Sequence, residues 1–138
     1  MITEARRLNP DIKFTVGSMT ELPLPDACVG GLCAWYSIIH VPDAQLPDVF
    51  AGFRRVLAPG GVLLLAFQIG DQPRILPEAF GVTVDLTFHR RRPEAVAALL
   101  HEAGLPVYAQ LQRESDGVGV ESTPQAYLIA RKPEENRR

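Results

Sequence analysis

Phe53-Arg54-Arg55-Val56-Leu57-Ala58-Pro59-Gly60-Gly61-Val62-Leu63-Leu64-Leu65-Ala66 is the stretch that decides the fold class. Proline cannot donate the backbone bond that continues a helix, and glycine tolerates the left-handed conformation that closes one. A helix is therefore expected to end at Pro59-Gly60-Gly61. Val62 to Phe67 has no polar residue, the pattern of a strand covered on both faces, as in a parallel sheet with helices on each side. Upstream, Leu46, Val49, Phe50, Phe53, Val56 and Leu57 recur at three- and four-residue spacings, an amphipathic stripe for a helix over 43–57 with Asp43 as its N-cap. Helix followed directly by buried strand means an α/β domain, whose ligands sit beyond the carboxyl ends of its strands.

Working outward, Ile2 to Leu8 reads as a short helix stopped by Asn9-Pro10. Ile12 to Val16 alternates apolar and polar residues and is expected to be a strand. Gly17 to Thr20 makes a turn, and Leu22 to Asp26 a stiff proline loop. Cys28 to Trp35 is a second strand, followed by a loop from Tyr36 to Pro42. Gln68 to Phe80 is expected to be irregular. Val82 to Phe88 alternates as a strand. Pro93 to Ala103 is a helix with its stripe at Val96, Leu99, Leu100 and Ala103, and Gly104 stops it. Val107 to Gln112 and Gln125 to Arg131 form an antiparallel pair about the Asp116-Gly117 turn region, with Gly117-Val118-Gly119 as hairpin connection.

The composition excludes several functions. With 138 residues, 46% of them hydrophobic, the chain forms one domain, taken as 1–132, with a charged tail over 133–138. A net charge of −2 leaves no electrostatic footprint for nucleic acid. Arg90-Arg91-Arg92 is the one basic cluster, suited to solvent or to backbone carbonyls rather than phosphate. No apolar run is long enough to cross a bilayer, and the expected compartment is the cytoplasm. The two cysteines match no zinc or redox spacing, and Cys33 is expected to be a small buried hydrophobe. His40, His89 and His101 are scattered, so no metal site is expected. Gly60-Gly61 follows a helix, whereas a dinucleotide fingerprint follows a strand.

The order of elements resembles the second half of a class I S-adenosylmethionine-dependent methyltransferase domain, in the broad group that includes quinone-biosynthesis methyltransferases. The resemblance runs from Ile2 to about Lys132. It rests on Val16-Gly17-Ser18-Met19 with Leu22-Pro23-Leu24-Pro25-Asp26, on Trp35-Tyr36-Ser37-Ile38-Ile39-His40-Val41, on Phe53 to Ala66, and on Arg92-Pro93-Glu94 through Gly104. It implies a Rossmann-like sheet, mostly parallel with a C-terminal antiparallel hairpin. The N-terminal βαβ portion, with its glycine-rich turn and ribose-binding acid, is expected to be missing. Such a truncated sheet would leave a bare strand edge, and a homodimer follows as an expectation.

The resemblance further implies S-adenosylmethionine as cofactor and a small organic methyl acceptor. Gly17, Ser18 and Met19 fall where the family holds adenine. Ser18 replaces the family's usual acid and can still accept a hydrogen bond; it fits a plain β-turn equally. Ala34, Trp35, Tyr36 and Ser37 fall at the methionine end of the cofactor, although the aromatic pair would also suit a core. His40 is the candidate catalytic base, because an imidazole titrates near neutrality; alternatively it bonds a backbone carbonyl and orders its loop. Gly30 stands where the family often has aspartate. The rival to methyl transfer is a non-catalytic remnant that acts as a binding or dimerisation module.

Overall fold

The long strand at the centre of the molecule is continuous with the helix before it, with no loop between them. In chain order the elements are α1 (Ile2–Leu8), β1 (Val29–Trp35), two 3-10 turns at Ile38–His40 and Asp43–Gln45, α2 (Leu46–Val56), β2 (Leu57–Gln68), β3 (Arg74–Ala79), β4 (Val82–Phe88), α3 (Pro93–Glu102), β5 (Val107–Arg113) and β6 (Gln125–Arg131). The computed structural model describes residues 2–14, 16–79, 82–115 and 123–134. The 116–119 connection lies outside that set, as does the tail beyond Glu134.

The main sheet has the order β1-β2-β6-β5, and β3 pairs with β4 in a separate ribbon. β1 and β2 are parallel, while β2–β6 and β5–β6 are antiparallel. The sheet is thus mixed rather than mostly parallel: one of its three ladders is parallel. No strand forms at residues 12–14 or at Val16, the described part of that segment. Ile12 and Val16 are 56% and 71% exposed, and no described strand lies beyond β1 to give that segment a ladder partner. Alternation alone does not satisfy a strand's N–H and C=O groups.

The Pro-Gly-Gly junction also works differently from expectation. α2 ends earlier, at Val56, with the Leu57 N–H bonded to the Phe53 carbonyl and Leu57 already extended (φ −73°, ψ 135°). Val29 pairs with Leu57 but Gly31 pairs with Val62, so residues 58–61 swing out of the ladder as a bulge. Gly60, at φ +81°, turns that bulge. A Cβ on Gly61 would lie 2.7 Å from the Ala58 carbonyl oxygen and 3.2 Å from that of Gly30, so only glycine passes there. Likewise Arg74–Ala79, expected to be irregular, is a strand. Its Pro77 sits at the register shift between Leu76 and Glu78, where a proline does not interrupt the ladder.

The core lies on one face of the main sheet. Leu63, Leu65, Phe67, Ala126, Leu128 and Ala34 pack under Leu46, Val49, Phe50 and Phe53 of α2 and Val96 and Leu100 of α3. Phe50, Phe53, Phe67, Leu63 and Leu65 are fully buried, each worth about 1.5–3 kcal/mol of transfer free energy. The other face carries no described helix. Leu64 and Ile129 are half-buried there, Leu111 is exposed, and Cys33 is exposed rather than buried as expected. Among the described elements β2 is therefore covered by helices on one face only, because α2 and α3 pack on the same side.

Two arginines tie loops to this frame. Arg55 of α2 donates to the Leu22 and Leu24 carbonyls (2.9 and 2.7 Å) and to Asp26 (2.9 Å), which holds the proline loop against the helix. Arg91, 8% exposed, donates to the carbonyls of Ile38 and Val41 and through Nε to Asp43 (2.9 Å). Asp43 therefore receives an arginine and caps no helix; no side-chain cap bond forms at either turn before α2.

Candidate functional site at the carboxyl ends of the parallel strands

β1 and β2 end side by side, and aromatic groups gather beyond that end. In the ladder Trp35 lies across from Ala66, and Ala66 across from Tyr127 of β6. Directly paired residues share a face of the sheet. Trp35 and Tyr127 thus flank a small alanine, and their rings meet above it at 5.5 Å. Tyr36 comes next, where simple alternation would send its side chain to the opposite face. Instead it adopts φ +54°, anchored by its N–H to the Ala66 carbonyl at 2.9 Å. Its ring then stands edge-on to Trp35 at 5.5 Å, and its hydroxyl lies 3.2 Å from that of Tyr127. Arg113, at the end of β5, donates through Nε to the Tyr127 hydroxyl at 3.4 Å. Burial and then the Tyr127 hydroxyl push the Tyr36 phenol up to about 12, against the opposing pull of the Arg113 charge.

The other expected site residues fall around this cluster unevenly. Ser37 is half-buried, its hydroxyl donating to the Trp35 carbonyl at 3.4 Å. Ala34 is buried in the core, on the face away from the cluster, so only its backbone is available to a ligand. His40 is exposed in the turn held by Arg91, and its ring lies 5.5 Å from that of Phe88. Its imidazole bonds no backbone carbonyl among the described residues. Ser18 is exposed in a tight turn. Its hydroxyl lies 2.8 Å from that of Thr20, and its carbonyl accepts the Glu21 N–H at 3.2 Å. Met19 packs partly buried against the core. The Pro23 ring explains Gly17, since a Cβ would lie 2.7 Å from Pro23 Cδ. No hydrogen bond or ring contact among the described residues joins Gly17–Met19 to the aromatic cluster. Tyr127 and Arg113 escaped the sequence reading because 91 residues separate Tyr127 from Tyr36.

Comparison with known proteins identifies the architecture. A family described as "Methyltransferase domain" matches residues 1–61. A S-adenosylmethionine-dependent methyltransferase from Methanosarcina mazei superposes with a TM-score of 0.77 at 16% identity, over 89% of this chain and 68% of that one. The fold is that of class I methyltransferases. The domain also resembles the 1,6-didemethyltoxoflavin-N1-methyltransferase of Burkholderia thailandensis, whose structure holds 1,6-didemethyltoxoflavin and S-adenosylhomocysteine. There the TM-score is 0.70 at 16% identity, over 96% of this chain and 56% of that one. In sequence it is 37% identical over 84 residues to the malonyl-[acyl-carrier protein] O-methyltransferase of Xylella fastidiosa (strain M23). The match takes in 58% of this chain and spans 28% of that relative.

Among the described residues the methyltransferase-like domain has no group of three or more His, Cys, Asp or Glu side chains that could hold a metal ion. No described helix is long and apolar enough to cross a membrane.

Proposed function

We propose that this domain takes part in methyl transfer from S-adenosylmethionine to a small organic acceptor. The observation that carries the reading is the Trp35–Tyr36–Tyr127 cluster beyond the carboxyl ends of β1 and β2, where a sheet of this class receives its ligand. Its chemistry fits the cofactor's reactive end, because aromatic faces attract a sulfonium as they attract other cations. Trp35, Tyr36 and Ser37 would hold that end. Ser18 would accept from the adenine amino group, with Gly17 and Met19 beside the ring. None of these residues is acidic, so the ribose hydroxyls would need another partner, and this chain supplies part of a pocket. The chain's 28% span of its curated relative supports that reading.

The bound cofactor supplies an activated methyl group whose carbon–sulfur bond breaks as the acceptor attacks. The protein's own task is alignment and exclusion of water. Arg91 fixes the turn that follows the cluster, and His40 in that turn takes the acceptor's proton. Calorimetric titration with S-adenosylhomocysteine tests the reading. Binding is expected, weakened at least several-fold by Trp35→Ala; no heat at millimolar ligand would overturn it. His40→Asn is expected to lower kcat while leaving cofactor affinity unchanged. The homodimer belongs to the same reading, supported by the outer edge of β1, which has no described neighbour.

A further inference from the structure

Two rows of side chains cross the open face of the main sheet at the end where β1 and β2 finish. Ladder partners share a face, so Trp35, Ala66, Tyr127 and Leu111 form the first row, which is aromatic and apolar. Two residues further along the strands, about 7 Å on, Gln68, Gln125 and Arg113 form a second, polar row. Two of its members are engaged. Gln125 donates through Nε2 to the Thr123 carbonyl at 2.9 Å, and Arg113 donates to the Tyr127 hydroxyl and the Glu114 carbonyl. Gln68 differs. Its Oε1 is closed off from solvent and has no hydrogen-bond partner among the described residues.

This orphaned oxygen is not the product of a loose strand end. The Gln68 carbonyl accepts the Arg91 N–H at 3.0 Å, and the Ile69 N–H bonds the Pro124 carbonyl at 2.9 Å, so the main chain is fixed. An acceptor buried without a donor works against the fold, and an apolar side chain there would carry no such cost. The terminal torsion of a glutamine is broad, so the oxygen can turn to an arriving donor while the backbone stays still. In the neighbouring row Trp35, 54% exposed, offers an aromatic face on which a planar molecule can lie. The step between the rows is about the length of a two-ring molecule.

We propose that Gln68 determines acceptor specificity, its side-chain oxygen receiving an N–H or O–H on the rim of a planar acceptor that lies on Trp35. The word acceptor rests on the methyl-transfer reading; the need for a donor rests on the unpartnered oxygen. Indole and N-methylindole are the probes, the same two-ring plane with and without a donor. Trp35 is the chain's one tryptophan, so isotope-labelled protein gives a single side-chain indole signal to follow by NMR during the titrations. Indole is expected to bind about tenfold more tightly than N-methylindole, the scale of supplying a donor to a buried acceptor. Gln68→Met keeps the length of the side chain, removes the amide, and is expected to bring that ratio towards one. The same variant is expected to melt no lower than the parent, because it deletes an orphaned polar group. A glutamine that served the fold, through a bound water for example, would lower the melting temperature when replaced, and that result would overturn the assignment. Equal binding of the two probes, tighter binding of N-methylindole, no binding of either, or a ratio unchanged in Gln68→Met would overturn it as well. A parallel titration with S-adenosylhomocysteine separates the two ideas. Cofactor binding without donor preference sinks the Gln68 assignment alone, and donor preference without cofactor binding sinks methyl transfer alone.

Discussion

Replacing Arg91 by methionine should destabilise the protein by about 3–5 kcal/mol. The guanidinium is 8% exposed and donates to the carbonyls of Ile38 and Val41, at 2.8 Å for the first. Hydrogen bonds to a charged group are worth about 1.5–3 kcal/mol each, and a buried acceptor stripped of its donor forfeits roughly that much. The Asp43 ion pair adds little, because that carboxylate is 82% exposed and solvent screens it. Two charge-assisted bonds set the figure, and methionine recovers some packing. Urea unfolding followed by Trp35 fluorescence measures the loss. At an m-value of about 2 kcal/mol/M the midpoint should fall by roughly 2 M with m unchanged. Arg91→Lys should recover only part of this, since an ammonium lacks the planar fork that spans two carbonyls. Asp43→Asn should cost less than about 1 kcal/mol. A loss below 1 kcal/mol in Arg91→Met, or an equal loss in Asp43→Asn, would refute the assignment of the carbonyls as the partners that matter.

Ultraviolet titration should reveal a phenol still protonated at pH 11, and Tyr36→Phe should remove it, because burial and the Tyr127 hydroxyl push Tyr36 up to about 12. The sign is that of a group held neutral by the fold: its contribution to stability is intact below pH 10, the ordinary phenol value, and is lost as pH climbs through about 12. Gly61→Ala should cost about 1–3 kcal/mol, because its Cβ would meet the Ala58 carbonyl at 2.7 Å. Gly30→Ala, with nothing within 4 Å, should be neutral or stabilising by up to about 1 kcal/mol; thermal melts of the pair check the contrast. Sedimentation velocity should show a concentration-dependent dimer, and a monomer at every concentration would exclude pairing through the β1 edge.

Much of this fold is legible where local pattern and tertiary need agree. The stripe from Leu46 to Leu57 is buried throughout, and the strands ending at Trp35 and Phe88 fall as expected. The reading fails where the deciding partner is distant. Ile12–Val16 alternates like a strand yet finds no ladder to join among the described residues. Cys33 sits in an apolar run, but burial depends on whether anything covers its face of the sheet. The site divides in the same way. Trp35, Tyr36 and Ser37 are contiguous and adjoin a strand end, so sequence finds them. Tyr127 reaches them through the pairing of β2 with β6 and Arg113 through that of β6 with β5, and neither carries a local mark. Arg91 was visible as a basic residue suited to carbonyls; its choice of Ile38 and Val41 is a tertiary fact.

The bulge at residues 58–61 has a consequence at the far end of the sheet. Gly60 donates to the Lys132 carbonyl and Lys132 returns a bond to the Gly61 carbonyl, both at 2.8 Å, while its ammonium reaches the Leu57 carbonyl at 2.7 Å. These contacts act as an indexing pin for β6. A slip of one residue along β2 would exchange the faces of Tyr127 and Leu128, sending the phenol into the core and a leucine towards Trp35. Gly60 and Gly61 thus determine, from five residues away, which side chain meets the aromatic cluster.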